Sequence, residues 1–394
     1  MELSQIQALD QQHFMNVFGQ RTPLCFTKGE GVYLYDTEGN KYMDLFAGIA
    51  VNALGYNHPV WTKKMCDYLQ NGVIHTSNIY YVETQAKLAK MLTDATCADK
   101  VYFGNSGAEA NECAIKLAKI YQYKKGNPEK YKIITLNHSF HGRTLTTVAA
   151  TGQPKYQAPY HPLTPGFIHV ELNNFDELLT VLDDSVCAIM LEPIQGESGV
   201  HPAEKEYLQK IRTLCDEKDI LLIFDEVQTG VGRTGSLYAY QQYGIEPDIF
   251  TTAKALGNGF PISACCAKDF VASAFSPGDH GGTYGGNGFA CCSALAVLEA
   301  IEEENLIENA KNVGSYLKEE LEKIDSPHII EVRGKGLMIG IETDNTKQYQ
   351  QKLTERGILV GTAGGTAIRL VPPLLLTKEQ ATEFITVFKE IINE

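Results

Sequence analysis

The chain has 394 residues, 44% of them hydrophobic, with its charges scattered along the length; this is the composition of a folded globular protein and excludes a disordered one. A formal net charge of -14 argues against nucleic acid as the main partner, because a phosphate backbone demands clustered Lys and Arg, yet it leaves room for an anionic small ligand held by a few local donors. The ten cysteines include the neighbours Cys265–Cys266 and Cys291–Cys292, show no C-x-x-C spacing and lie mostly in apolar stretches, so they read as small buried hydrophobes in a reducing compartment and not as a disulfide or metal framework. No stretch reaches membrane-spanning length, and the start lacks a basic segment followed by an apolar run. The expectation is a cytoplasmic protein with no membrane partner.

In chain order, residues 29–46 predict a hairpin: two Tyr-rich apolar runs flank the turn signal Asp36-Thr37-Glu38-Gly39-Asn40. From about residue 58, short β-rich apolar runs (100–103, 132–136, 187–191, 220–224 and 248–251) alternate with helical stretches such as 108–125 and 204–218. Runs apolar on both faces predict buried parallel strands, and the alternation predicts an α/β layer fold with a mostly parallel sheet. After about residue 288 the order changes. Helical runs at 289–306 and 309–324 lead to strand-like 329–332 and 337–342, a helix at 347–356, a strand at 367–371 and a last helix opened by the capping box Thr377-Lys378-Glu379-Gln380. The predicted organisation is a large domain at 58–287, a smaller α+β domain at 288–394, and an N-terminal segment, 1–57, packing with the small domain.

Sites in open α/β sheets lie at the carboxyl ends of strands, so the residues just beyond each apolar run carry the chemistry. The first run ends in Gly104-Asn105-Ser106-Gly107-Ala108 and a helix, where close backbone approach and the helix dipole favour a phosphate, although many strand-to-helix turns carry Gly and Ser without one. The second ends in His138-Ser139-Phe140-His141; a strand-end aromatic either stacks on a flat ring or is simply core, and the histidine pair lacks a third ligand for a metal. The fourth ends in Asp225-Glu226-Val227-Gln228, placing an acid at the rim of a buried layer, where it either meets a protonated ring nitrogen or caps the next turn. Lys254 comes after another apolar run and precedes Gly257-Asn258-Gly259-Phe260-Pro261. Most lysines are surface charges, but a partly desolvated one has a lowered ammonium pKa and forms Schiff bases readily. An anion cradle, a lysine, an acid and a flat partner are together what pyridoxal phosphate demands.

These residues resemble the class III, fold type I, pyridoxal-phosphate aminotransferases over nearly the whole chain. The likeness includes HTSNIYY, NSGAEANECAIKLA, SFHGRT, EPIQGESGV, LLIFDEVQTGVGRTG, PDIFTTAKALGNGFPISA and IRLVPPL. The resemblance implies a large domain built on a mostly parallel sheet flanked by helices, with a smaller α+β domain beside it. It implies that Lys254 is the Schiff-base lysine and Asp225 the partner of the pyridine nitrogen, with Val227 beside it and Gln228 on the ring hydroxyl. Ser106, Gly107 and Ala108 match the phosphate cradle, Phe140 the stacking residue, and Thr283 a phosphate contact supplied from a neighbouring subunit, hence a homodimer with its site at the interface. Arg143 matches a grip on a substrate carboxylate, and Glu197 with Arg369 a switching pair. The implied substrates are 2-oxoglutarate and an ω-amine donor, N2-acetylornithine first, in arginine biosynthesis; ornithine, succinylornithine, succinyldiaminopimelate and 4-aminobutyrate are the rival donors. The chain departs from the family at Gly282, where a serine bordering the substrate is usual, and at Asn287-Gly288-Phe289, which lacks the usual proline. A racemase or aminomutase would share the lysine and acid without needing 2-oxoglutarate. A Rossmann dehydrogenase is disfavoured, since no strand is followed by G-x-G-x-x-G.

Overall fold

The computed structural model describes residues 1–394. Its first sheet forms where the turn signal at 36–40 predicts it. Strands β1 (Phe26–Glu30), β2 (Tyr33–Asp36) and β3 (Lys41–Asp44) make an antiparallel meander. Asp36 fixes the turn by accepting from the Glu38 and Asn40 amides at 2.9 and 2.8 Å, the self-bonding that makes Asp a turn residue.

The main sheet has seven strands. In chain order they are β4 (Lys100–Gly104), β5 (Lys132–Leu136), β6 (Phe167–Val170) and β7 (Val186–Leu191). After a short ribbon of β8 (Ile194–Gln195) and β9 (His201–Pro202) come β10 (Leu221–Asp225), β11 (Ile249–Thr252) and β12 (Ser263–Ala267). Their spatial order is β4-β12-β11-β10-β7-β5-β6. All run parallel except β12, which is antiparallel to both β11 and β4. Every residue of β7, β10, β11 and β12 is buried, as strands covered by helices on both faces must be. The sequence reading missed β6 and β12. The latter, Ser-Ala-Cys-Cys-Ala, consists of small residues that carry neither alternation nor strong β preference.

The C-terminal part supplies β13 (Ile329–Lys335), β14 (Met338–Thr343), β15 (Ile358–Leu359), β16 (Gly361–Ala363) and β17 (Ala367–Leu370). Four of them form an antiparallel sheet in the order β13-β14-β17-β16, whereas β15 pairs in parallel with β3. The helix Gly288–Glu303 begins at the boundary drawn from the sequence, yet it packs on the helices Pro59–Asn71 and Glu83–Ala95 and on the turn Lys254–Gly257. The chain changes company only with the next helix, Leu306–Glu322, which packs on β13 and the last helix, Lys378–Ile392.

Candidate active site

Parallel strands end on one edge of their sheet, so the loops after β4, β5, β7, β10 and β11 meet there, around a cavity of about 390 Å³. At the end of β4, Ser106 caps the helix Gly107–Lys124: its hydroxyl accepts from the Glu109 amide at 3.2 Å, and Glu109 accepts from the Ser106 amide at 3.0 Å. The first-turn amides of Gly107 and Ala108 have no acceptor within the helix, and both residues line the cavity. The positive end of an 18-residue helix is thereby offered to an anion. Gly107 is required there, because a Cβ would lie 2.7 Å from Val227 Cγ1.

Across the cavity, Asp225 is buried at the end of β10. Its Oδ2 receives Asn111 Nδ2 at 2.8 Å and lies 2.9 Å from His141 Nδ1, while Oδ1 receives the Val227 amide at 3.0 Å. Against an ionised carboxylate, His141 Nδ1 carries the proton and donates. Asn111 is held in turn by Thr251 Oγ1, which donates to its Oδ1 at 2.7 Å, and by donating to the His141 carbonyl at 2.7 Å. The next residue, Glu226, is turned into the core and accepts from Thr229 and from the Ala239 and Tyr240 amides. Of the two adjacent acids, one serves the cavity and the other the scaffold.

Lys254 follows β11 with φ +42°, a left-handed backbone rarely adopted by a non-glycine residue. Such strain costs on the order of 1–3 kcal/mol and gathers at functional positions. Its side chain lines the cavity. Burial pushes its ammonium below the ordinary lysine range, Arg369 pushes the same way, and Glu197, Asp225 and Glu192 oppose the shift without cancelling it. Phe140 and Arg143 occupy the loop after β5, with the guanidinium carbon 3.7 Å from the Tyr156 ring centroid and 5.6 Å from that of Phe140. The Phe140 amide donates to Glu192 Oε1 at 2.8 Å. Burial raises Glu192 to about 7, with Asp225 adding to the rise and His141 and Lys254 opposing it.

On the remaining wall, Arg369 of β17 is buried and points Nη1 at Glu197 Oε1 (2.7 Å), Gln228 Oε1 (3.1 Å) and the Gly196 carbonyl (3.1 Å). Gln228 also donates to Glu197 at 3.1 Å. Burial raises the Glu197 carboxyl, but Arg369 and Lys254 outweigh it and hold the group below its ordinary value. A Cβ on Gly196 would fall 2.1 Å from Gln228 Oε1, so any larger residue there would push the Gln228 side chain aside.

The cavity thus gathers Ser106, Gly107, Ala108, Phe140, Arg143, Glu197, Asp225, Val227, Gln228 and Lys254 from five loops, and Arg369 joins through its bonds. Gly282 and Thr283 are not among them: they sit on an exposed loop beside Asn78, whose Nδ2 donates to the Gly282 and Gly285 carbonyls. The histidine pair is split, with His141 buried on Asp225 and His138 exposed. The sequence reading passed over Asn111 and Glu192. Glu192 directly follows the buried β7, the same signal that drew attention to Asp225. Asn111 lies one helical turn beyond Gly107 and so shares its face.

The Aminotransferase class-III family profile matches residues 14–392. An acetylornithine aminotransferase of Caldanaerobacter subterraneus is 45% identical over 389 residues, 98% of each chain. One of Methanocaldococcus jannaschii is 46% identical over 391 residues, 98% of this chain and 97% of its own. Among solved structures, an ornithine aminotransferase from Toxoplasma gondii superposes with a TM-score of 0.95 at 31% identity, covering 100% of this chain and 95% of that one. The acetylornithine aminotransferase from Elizabethkingia anophelis gives 0.88 at 32% identity, covering 100% and 99%.

Proposed function

The chain belongs to the class III aminotransferases, enzymes that use pyridoxal 5'-phosphate, and from that premise we propose that it moves the terminal amino group of N2-acetyl-L-ornithine to 2-oxoglutarate. The products are N-acetyl-L-glutamate 5-semialdehyde and L-glutamate, and the step serves arginine biosynthesis. The observation that carries this reading is Lys254 and the buried Asp225 lining one cavity whose far side is a helix N-terminus. The choice of donor rests on the names of the curated relatives.

The residues fit the cofactor. Ser106 and the Gly107 and Ala108 amides would hold its phosphate, Asp225 its ring nitrogen, Gln228 its ring hydroxyl, Phe140 and Val227 its faces, and Lys254 its aldehyde carbon. When bound, pyridoxal phosphate carries the amino group covalently and accepts the electrons released as a proton leaves the substrate carbon. Asp225 would keep a proton on the ring nitrogen, and its carboxylate is held in place by the hydrogen bonds from Asn111, His141 and the Val227 amide. Lys254 Nζ would be the group that takes the proton from the substrate carbon and gives it back. Its depressed ammonium suits both directions.

Arg369 selects between the two substrates. The donor presents its terminal amine, far from its own carboxylate, and Glu197 then neutralises the idle guanidinium. When 2-oxoglutarate arrives, its α-carboxylate displaces Glu197 from Arg369 and its distal carboxylate takes Arg143; the planar fork of arginine suits each pairing. Thr283 completes the phosphate site of a second copy, and Gly282 borders that copy's donor. The exposure of these two residues, together with exposed Ile79, Tyr80, Tyr81 and Tyr284, supports a homodimer with its sites at the interface. No helix is long and apolar enough to cross a membrane, and the ten cysteines are free; the proposal places the enzyme in the cytoplasm.

The test is a panel of N-acetylornithine, ornithine, succinylornithine, succinyldiaminopimelate and 4-aminobutyrate against 2-oxoglutarate on purified, cofactor-loaded enzyme. N-acetylornithine is expected to give the highest kcat/KM. An advantage of about tenfold or more for free ornithine, a difference of roughly 1.4 kcal/mol, would remove the assignment of the donor.

A further inference from the structure

A second and larger concavity, about 1010 Å³, lies between β13, the helix Leu306–Glu322 and the loops after β5 and β6, with the β8–β9 ribbon as its floor. Its lining mixes apolar surface with several charged side chains, and these charges are unevenly matched. Arg333 is buried and satisfied: Nη1 meets Glu331 at 2.6 Å and also Glu342, and Nε donates to the Gly199 carbonyl at 2.9 Å. Glu331 is thereby engaged. Glu171, the other acid of the lining, accepts from Asn137 Nδ2 at 2.6 Å.

Lys155, Lys318 and Lys335 line the same cleft from three different elements. Lys155 and Lys335 have no ion-pair partner; their ammonium groups lie over the neutral rings of Tyr156 and Tyr243, at 4.8 and 4.9 Å. Lys318 reaches only Glu322, at 3.8 Å on its own helix. Lys335 is half-buried, and its ammonium is pushed below the ordinary range by burial first and by Lys318 and Lys205 next. Like charges drawn together at a partly desolvated position destabilise one another. The chain carries 48 acidic residues against 34 basic ones, so counter-charges are abundant, and yet Lys155 and Lys335 have none and Lys318 has only the Glu322 of its own helix.

We propose that this cleft is a binding site for a small polyanion bearing two or more carboxylate or phosphate groups, held by Lys155, Lys318 and Lys335. The site is distinct from the catalytic cavity but shares a wall with it. Gln195 and Ser198 line the cleft, while Glu197 between them reaches Arg369 on the catalytic side. Gln195 is braced by donating to the Asn137 carbonyl at 2.8 Å and lies 3.3 Å from Ser198 Oγ. A bound anion therefore rests on the segment that holds the partner of Arg369.

The test is calorimetric titration of cofactor-loaded enzyme, repeated in the variant R143Q so that binding in the catalytic cavity is told apart from binding in the cleft. Citrate is the probe in one arm and inorganic pyrophosphate in the other, which separates carboxylate from phosphate ligands. Saturable binding is expected in at least one arm. It should weaken at least about tenfold in the double variant K318Q/K335Q, weaken with added potassium chloride, and stay unchanged in K90Q, a lysine of the exposed Lys90–Asp94 pair. The single variant K155Q, at an exposed side chain, keeps the test open if the double variant does not fold, and it too should weaken binding. Absence of binding in both arms up to about 10 mM, where an interaction would be worth under roughly 3 kcal/mol, or binding unchanged by these substitutions, overturns the proposal.

Discussion

His141 Nδ1 lies 2.9 Å from Asp225 Oδ2, and the same oxygen receives Asn111 Nδ2 at 2.8 Å. The acid is thus oriented by a side chain from the helix Gly107–Lys124 and another from the loop after β5 before any ligand meets it. His141→Ala removes one of these bonds and leaves the other. Hydrogen bonds to charged groups contribute about 1.5–3 kcal/mol, so cofactor affinity should fall roughly 10- to 100-fold, read by equilibrium dialysis. Asp225→Ala should cost much more, about 10²–10³-fold in kcat, as for removal of a preorganised charge contact. An H141A enzyme with unaltered cofactor affinity would separate His141 from the role given to it.

Lys254→Ala should abolish turnover and leave no cofactor covalently attached after borohydride reduction, as measured by intact-protein mass. The wild-type chain should retain one reduced cofactor. Because the lysine occupies a left-handed backbone position, Lys254→Gly should be the more stable of the two inactive variants in thermal melts, by about 1 kcal/mol.

Glu197→Gln should separate the half-reactions. With the neutralising carboxylate gone, Arg369 stands unopposed while the donor is bound, so KM for N-acetylornithine should rise while the 2-oxoglutarate half-reaction changes little. Arg369→Ala should do the reverse. A double-mutant cycle should give a coupling of about 0.5–3 kcal/mol; additivity would mean that the pair does not act as a switch.

Glu192 and Glu226 are both raised by burial from the ordinary 4.5 to about 7. Between those values the folded chain holds protons that the unfolded chain has released, so stability falls as pH rises from about 4.5 to about 7. The contribution is complete below the lower value and gone above the higher. Urea midpoints across this range should show the decline, and Glu192→Gln should flatten it. An unchanged slope in that variant would mean that Glu192 does not titrate there.

Much of the cavity was legible because strand ends announce themselves: a short strand-like run followed by Asp225, Lys254 or the Ser106-Gly107 turn. The roles given to Glu197, Arg143 and Arg369 came from resemblance, since one residue of each type on a loop or strand says nothing of its partner 172 positions away. Asn111 and Thr251 escaped notice for another reason. Both sit inside regular elements, where polar side chains usually cap or face solvent, and their buried bond to each other depends on a helix crossing over a strand 140 positions along the chain. The antiparallel β12 was invisible because its small residues are chosen for close packing beneath that helix and not for strand preference.

Met43 and Asp44 pair in parallel with Ile358 and Leu359, so the strand formed by the forty-first to forty-fourth residues waits for a neighbour made near the end of synthesis. On the ribosome the opening meander has an open edge for almost the whole time the chain emerges, and such an edge invites pairing with other chains. Contacts of this sequence separation also slow folding. Premature termination anywhere before residue 358 would leave that edge permanently bare, and truncated products should therefore partition to the insoluble fraction even when the whole seven-stranded sheet has been made.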